Sequence, residues 1–290
     1  MSTPITGHTG LTALLGSPVA HSISPMMHNE SFRYHNLDYV YLCFDVNEEG
    51  LAIAVDGLKK IGIRGFNLTM PNKNKMVELV DQLSPAGQLI GAINTVVNDD
   101  GILTGHNTDG VGFMRSLEDA GHNIIGKTMT VLGAGGAATA ICAQAALDGV
   151  ECIHIFARTT SRFWDRTAEF AKKINEMTSC KAILHDNADK KALKDALNDS
   201  AILVNASSVG MTPNTDASLI EDPSYFHKGL IVYDAIYNPR ETKLLRLARE
   251  AGCETCNGLY MLLYQGAEAF RIWTGKEMPI DLIKEKYFQA

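Results

Sequence analysis

The stretch Thr128-Met129-Thr130-Val131-Leu132-Gly133-Ala134-Gly135-Gly136-Ala137-Ala138 carries the clearest chemical signal in the chain: an apolar strand running into a glycine turn and a small-residue helix. Gly133 permits a tight turn, Gly135 lets the backbone approach a pyrophosphate with no Cβ in the way, and Ala138 fills the third small position where helix and strand pack. Ala134, Gly136 and Ala137 complete a turn that would aim backbone N–H groups and a positive helix end at phosphate oxygens. A second apolar run, Cys152 to Phe156, follows after one helix closed by Gly149, which completes a βαβ unit. It ends about twenty residues past the glycines, where an NAD site usually carries an acid for the ribose 2′-hydroxyl. Here the residues are Ala157-Arg158-Thr159-Thr160-Ser161-Arg162. Two arginines and hydroxyls in place of a carboxylate suit a 2′-phosphate, through charge-assisted hydrogen bonds.

Four polar clusters also stand at strand or helix ends: Ser22 and Ser24; Asn67, Thr69 and Lys73; Asn94; and Asn107-Thr108-Asp109. Such positions converge on one crevice in a doubly wound domain. Each has a plain structural reading as well: Ser24 as a helix cap, Asn94 as a satisfied strand end, Asp109 as a first-turn acid favoured by the dipole. Their joint presence beside a nucleotide turn is what points to a site.

The elements that must position these residues alternate from end to end, apolar strand then helix, the pattern of an α/β fold with mostly parallel sheets. The pattern predicts strands at Leu11 to Leu15, Tyr39 to Val46 and Gly65 to Leu68, with a helix opening at Ser24-Pro25 and another from Glu48 to Lys60. Helical segments are expected around Lys75 to Leu89. Strands Ala92 to Val97 and Ile102 to His106 then flank Asp100-Gly101, a hairpin signal, so at least one strand is antiparallel. A boundary is placed near Phe113. Beyond it come the glycine-turn strand and others at Ile183 to His185, Ile202 to Asn205, Leu230 to Tyr233 and Glu254 to Asn257. Two last helices, Met261 to Trp273 and Pro279 to Tyr287, are expected to return to the first domain.

With 290 residues the chain accommodates two domains of ordinary size. At 20% charged and 46% apolar residues it is a globular chain and not a disordered one. The net charge of −7 is spread without a basic block, which argues against a nucleic-acid binder. No apolar run reaches the roughly 20 residues needed to span a bilayer, and Met1 to Thr9 lacks the pattern of a signal peptide, so a cytoplasmic protein is expected. Six cysteines sit mostly in apolar strands or helices, as small buried hydrophobes do. Only Cys253-Glu254-Thr255-Cys256 has motif spacing, and with no second pair or histidine motif it reads as a reduced strand, not a metal site.

Taken in chain order, Ser22-Ile23-Ser24-Pro25, Asn67-Leu68-Thr69-Met70-Pro71-Asn72-Lys73, Gly91-Ala92-Ile93-Asn94-Thr95, Gly105-His106-Asn107-Thr108-Asp109-Gly110, Gly133 to Ala137 and Gly258-Leu259-Tyr260-Met261-Leu262-Leu263-Tyr264-Gln265 closely resemble the shikimate dehydrogenase family, including its quinate/shikimate branch. The resemblance implies a substrate-binding catalytic domain over residues 1–112, onto which helices of 259–290 pack back, and a Rossmann NAD(P)-binding domain over 113–258. It implies reversible oxidation of shikimate to 3-dehydroshikimate with NADP or NAD, a step toward chorismate and the aromatic amino acids, with quinate as a further candidate substrate. Ser22 and Ser24 would hold the substrate carboxylate, and Thr69, Asn94 and Gln265 its hydroxyls. Lys73 and Asp109 would be the catalytic pair, and Gly133 to Ala137, Arg158, Thr159, Arg162 and Gly258 would bind the cofactor. A base must take the hydroxyl proton as hydride leaves carbon. Lysine needs desolvation to act as one, whereas a nearby carboxylate raises its pKa, so which of the pair moves the proton stays open.

Two features bear on the cofactor and branch. Family members that use NADP generally show Asn-Arg-Thr-x-x-Arg where this chain has Ala157-Arg158-Thr159-Thr160-Ser161-Arg162, and Trp273-Thr274-Gly275-Lys276 is more similar to the quinate/shikimate branch, some of which accepts NAD. The expectation therefore leans to NADP, in a homodimer. The alternatives are a quinate-preferring NAD-dependent catabolic dehydrogenase, a folate dehydrogenase of similar layout, and a non-catalytic NADP-binding regulatory protein. A pterin site would want an aromatic platform where these clusters offer hydroxyls and amides, and a retired site has no need for both Lys73 and Asp109.

Overall fold

A computed structural model describes residues 4–289. Met1 to Thr3 and Ala290, which the expected domain bounds include, lie outside the described residues. Strands β1 (Gly10–Gly16), β2 (Tyr39–Asp45), β3 (Gly65–Leu68), β4 (Gln82–Leu83), β5 (Thr95–Asp99) and β6 (Ile102–His106) form one sheet in the order β2-β1-β3-β5-β6-β4. β1 runs parallel to β2 and β3, whereas β5 is antiparallel to both its neighbours. The β5–β6 hairpin turns at Asp100 (φ 52°) and Gly101 (φ 91°), the positive pair that a two-residue type I′ turn requires.

One face of this sheet packs Ala13, Leu15, Phe66, Leu68 and Val96 against Leu51 and Val55 of helix α2 (Leu51–Lys60). The rest of the same unit adds a buried aromatic cluster: Phe32 of α1 (Ser24–Tyr34), Tyr41 of β2, and Phe270 and Trp273 near the end of a later helix. The Trp273 indole donates to the Val96 carbonyl at 2.8 Å, and a Cβ on Gly65 would fall 2.2 Å from its Nε1, so glycine is what lets the ring reach the sheet.

The expected helical stretch Lys75 to Leu89 is broken up. A 3₁₀ turn (Lys75–Glu78), the two-residue β4 and the short α3 (Pro85–Ile90) replace it. Pro85 bars helix at Ser84, whose hydroxyl instead caps α3 by accepting from Gly87 N–H at 3.2 Å. Asp81 accepts from Leu103 N–H at 2.8 Å and pulls the chain alongside β6.

Strands β7 (Thr128–Leu132), β8 (Cys152–Ala157), β9 (Lys181–Asp186), β10 (Ile202–Asn205), β11 (Ile231–Asp234) and β12 (Glu254–Asn257) form a second, all-parallel sheet, order β12-β11-β10-β7-β8-β9. Numbered from β7 within the unit, that is 6-5-4-1-2-3, the doubly wound dinucleotide-binding order. The intervening helices are α4 (Asp109–Asp119), α5 (Gly136–Asp148), α6 (Trp164–Met177), α7 (Lys190–Asp199) and α8 (Lys243–Glu250). Leu193 and Leu197 of α7 and Leu244 and Leu245 of α8 share a core with Leu132, Leu203 and Val232 of the strands.

The chain divides into two compact units, one running to Thr108 and resuming at Gln265, the other spanning Asp109–Tyr264. The division therefore falls at the start of α4, ahead of the expected Phe113, and within α9 (Leu259–Thr274). After α9 comes α10 (Ile280–Ile283), which passes into a π-helical turn (Lys284–Phe288) whose Lys286 ammonium meets Glu30 of α1 at 2.6 Å. Cys253 and Cys256 are free thiols at the start of β12 and within it. No helix among the described residues is long and apolar enough to cross a membrane.

Candidate active site

In the first unit the candidate side chains hang from strand ends that are tied together by backbone bonds. The Leu68 N–H donates to the Asn94 carbonyl at 2.8 Å, and the Ile93 N–H donates to the Lys73 carbonyl at 2.9 Å. Lys73 and Asn94 are thereby held one residue apart across two loops. Thr69 N–H donates to Leu15 O at 3.0 Å, and a Cβ on Gly16 would fall 2.2 Å from Thr69 Cγ2, so the glycine makes room for the threonine. Asn72, fully buried, donates from Nδ2 to Val46 O at 2.8 Å and anchors the loop that carries Lys73.

The Asn94 side chain is 2% exposed and its amide has one orientation. Its Oδ1 accepts the backbone N–H of Thr108 at 2.8 Å and the hydroxyl of Thr95 at 3.0 Å, while Nδ2 donates to Thr108 Oγ1 at 3.0 Å. A backbone N–H only donates, so the amide cannot flip. Asn67 is fixed by the same logic, since its Nδ2 donates to the Asn94 carbonyl at 3.1 Å and to Thr95 Oγ1 at 2.9 Å, while Oδ1 accepts from the Tyr41 hydroxyl at 2.8 Å. At the start of α1, the Ser24 backbone N–H donates to Ser22 Oγ at 3.2 Å, which fixes the Ser22 hydroxyl against the helix start. Both serines are half-buried, as are Thr69 and Lys73. Gln265 is half-buried as well, and a Cβ on the next residue, Gly266, would lie 2.9 Å from Met27 Cε, so α9 seats Gln265 beside α1.

The second unit presents backbone instead. Gly133 has φ 129°, and a Cβ there would meet the Ala206 carbonyl at 2.8 Å, so the turn itself demands glycine. At Gly135 and Gly136 a Cβ would meet nothing within 4 Å. Packing within the protein thus gives no reason for those two glycines, and they leave bare the first turn of α5, where N–H groups have no intrahelical acceptor. The open approach to this turn would fit a pyrophosphate. Ala134 and Ala137 are partly exposed on the same turn, and Ala138 is buried beneath it. Asp109 opens α4, and a Cβ on the next residue, Gly110, would lie 2.3 Å from the Ala140 carbonyl, so α4 packs backbone-to-backbone on α5.

At the end of β8, Ala157 is buried while Arg158, Thr159 and Arg162 are exposed. Ser161 N–H donates to Arg158 O at 2.9 Å, which folds the segment into a turn, and the Arg162 guanidinium lies over the Phe163 ring at 4.7 Å. Gly258 is required by close approach, since a Cβ would fall 2.1 Å from the Ala235 carbonyl. The buried Asp234 holds this neighbouring loop, accepting from Asn205 Nδ2 and Ile236 N–H, each at 3.0 Å, and from the Thr242 hydroxyl at 2.7 Å. Burial pushes its carboxyl up from the usual range.

Sequence reasoning missed Tyr41 and Thr95, which fix Asn67 and Asn94, and Asp234. Tyr41 and Thr95 read as ordinary strand residues, and they lie 26 and 28 positions from their partner Asn67, beyond any local pattern.

A parallel sheet in this order with a glycine turn after its first strand defines a Rossmann dinucleotide-binding unit, joined in one chain to an α/β unit rich in fixed amides and hydroxyls. Residues 14–96 match the model of the shikimate dehydrogenase substrate binding domain, and residues 258–286 that of the shikimate 5'-dehydrogenase C-terminal domain. The chain is 52% identical to the shikimate dehydrogenase (NADP(+)) of Listeria innocua, over 98% of its length and 97% of the relative's. It is 45% identical to a quinate/shikimate dehydrogenase of Escherichia coli, over 97% of each. A crystal structure of shikimate 5-dehydrogenase from Listeria monocytogenes in complex with shikimate and NAD, 52% identical, superposes with a TM-score of 0.95 over 98% of both chains. The chain belongs to the shikimate dehydrogenase family.

Proposed function

We propose that the protein is a shikimate dehydrogenase, interconverting shikimate and 3-dehydroshikimate with NADP as the favoured cofactor and NAD as the second. The first unit is then the substrate domain and the second the cofactor domain. The observation that carries this reading is the locked network around Asn94, a set of amides and hydroxyls arranged in advance for a small polyhydroxylated ligand.

In this reading Ser22 and Ser24 donate to the substrate carboxylate, and Thr69, Asn94 and Gln265 bond its ring hydroxyls. Lys73 and Asp109 handle the proton that leaves the reacting hydroxyl and return it in the reverse direction. The bound nicotinamide accepts and returns the hydride. Gly135 and Gly136 admit the pyrophosphate, while Arg158 and Arg162 supply cationic donors for a 2′-phosphate, with Thr159 beside them. Quinate enters as a second substrate on the likeness to a quinate/shikimate dehydrogenase. We also carry forward a cytoplasmic homodimer, the commonest soluble assembly, for which light scattering is the check.

The test is an initial-rate assay at about 340 nm, following the reduced nicotinamide, that crosses shikimate and quinate with NADP and NAD. Shikimate with NADP should give the highest kcat/KM. Turnover in none of the four combinations would refute the reading in favour of a non-catalytic binder. Higher kcat/KM for quinate with NAD would reassign the protein to quinate catabolism.

A further inference from the structure

Tyr41 is fully buried in β2, yet its hydroxyl reaches the polar network. Its ring is stacked on His28 at 4.4 Å and flanked by Trp273 at 6.0 Å, so the phenol cannot swing. Its backbone is clamped as well: Asn29 of α1 accepts from Tyr41 N–H at 2.8 Å and donates to Tyr41 O at 2.9 Å.

The direction of each hydrogen bond follows from what each atom can do. The Asn94 carbonyl only accepts, so Asn67 must turn Nδ2 toward it and Oδ1 toward Tyr41, and the single phenolic proton is committed to Asn67. Through Asn67 Nδ2 the Tyr41 hydroxyl thus acts on the Asn94 backbone and on the Thr95 hydroxyl.

We infer that Tyr41 is a positioning residue for the substrate: its hydroxyl fixes Asn67, and through Asn67 the Asn94 backbone and the Thr95 hydroxyl that orients the Asn94 amide, and so holds the group that meets the substrate's ring hydroxyls. The inference rests on the shikimate reading and adds a group that the substrate itself does not touch.

The experiment is Tyr41→Phe, which keeps the stacked ring and removes only the hydroxyl. KM for shikimate should rise about tenfold, the effect of about one lost hydrogen bond. At saturation kcat should stay within about threefold, and KM for NADP within about twofold. Combined with Asn67→Ala, the effect of Tyr41→Phe should shrink, because it acts through that amide.

Unchanged shikimate KM in Tyr41→Phe overturns the inference, and so does a parallel loss of shikimate and NADP affinity, which would mark general damage. Full multiplicativity with Asn67→Ala would also overturn it. If Tyr41→Phe does not fold, Asn67→Asp reads the same chain from its other end, and an unchanged KM there is equally contrary. Wild-type protein that neither binds nor oxidises shikimate would instead sink the reading on which the inference stands.

Discussion

The two units prepare for their ligands in opposite ways. In the first, Asn67, Asn94, Thr95 and Thr108 are buried side chains whose donors and acceptors are assigned to one another before any ligand arrives. In the second, the candidate contacts are backbone at Gly133 to Ala137 and exposed side chains at Arg158 and Arg162. A ligand read by buried, mutually fixed amides is recognised by shape and hydroxyl pattern, and an analogue lacking one group leaves a polar atom unpaired. A ligand held by helix N–H groups and surface cations is recognised by charge, and a single surface residue decides between close variants. Substrate choice should therefore be hard to change by mutation, and cofactor choice easy.

The largest effect should come where both ligands must already be in place. Lys73→Ala and Asp109→Ala are each expected to lower the rate of shikimate oxidation about 10² to 10⁴-fold, with the protein folded and NADP binding intact. Stopped-flow or steady-state rates beside a fluorescence titration of NADPH give both numbers. A Lys73→Ala enzyme within a few-fold of the parent would remove Lys73 from the proton step.

Next come Ser22→Ala and Ser24→Ala, each deleting a hydrogen bond to a charged carboxylate, worth roughly 1.5 to 3 kcal/mol. Apparent affinity for shikimate should fall more than kcat does. Should both variants bind shikimate like the parent in calorimetry, the carboxylate lies elsewhere.

A smaller effect concerns stability and sharpens what is special in the first unit's core. His28 is fully buried with neither ring nitrogen hydrogen-bonded, stacked on the Tyr41 phenol, and burial lowers its pKa to about 3. The folded chain therefore keeps this imidazole neutral while the unfolded chain protonates it near 6.5. Its contribution is whole above the unfolded pKa and drains away as pH falls toward the folded value, by up to ~1.4 kcal/mol per pH unit. Denaturant melts at several pH values should show His28→Leu losing less stability than the parent below pH ~6. Parallel curves for the two proteins would contradict the assignment.

Much of this was legible in the chain. The glycine turn and its alternating elements foretell the second sheet, and Asp100-Gly101 foretells the hairpin, because each is a local rule obeyed locally. β4 was not, because two residues carry no periodicity and depend on Asp81 finding a backbone N–H more than twenty positions away. The burial of His28 was equally hidden. The inner face of α1 carries Met27, His28, Ser31 and Phe32, so two polar residues interrupt the apolar stripe, and Ser31 is satisfied only by its own helix, at Met27 O. The candidate site residues could be named by motif, whereas the hydrogen bonds that aim them join strands and appear only in the fold.

The contrast between the units is tested most directly by Arg158→Asp, assayed with shikimate and both cofactors. A carboxylate at the end of β8 should repel a 2′-phosphate and offer an acceptor to a free 2′-hydroxyl. The ratio of kcat/KM for NADP over NAD should fall by at least roughly 2 kcal/mol, about 30-fold, while KM for shikimate stays within about twofold. Equal losses with NADP and NAD, or a shikimate KM that moves with the cofactor ratio, would contradict the account.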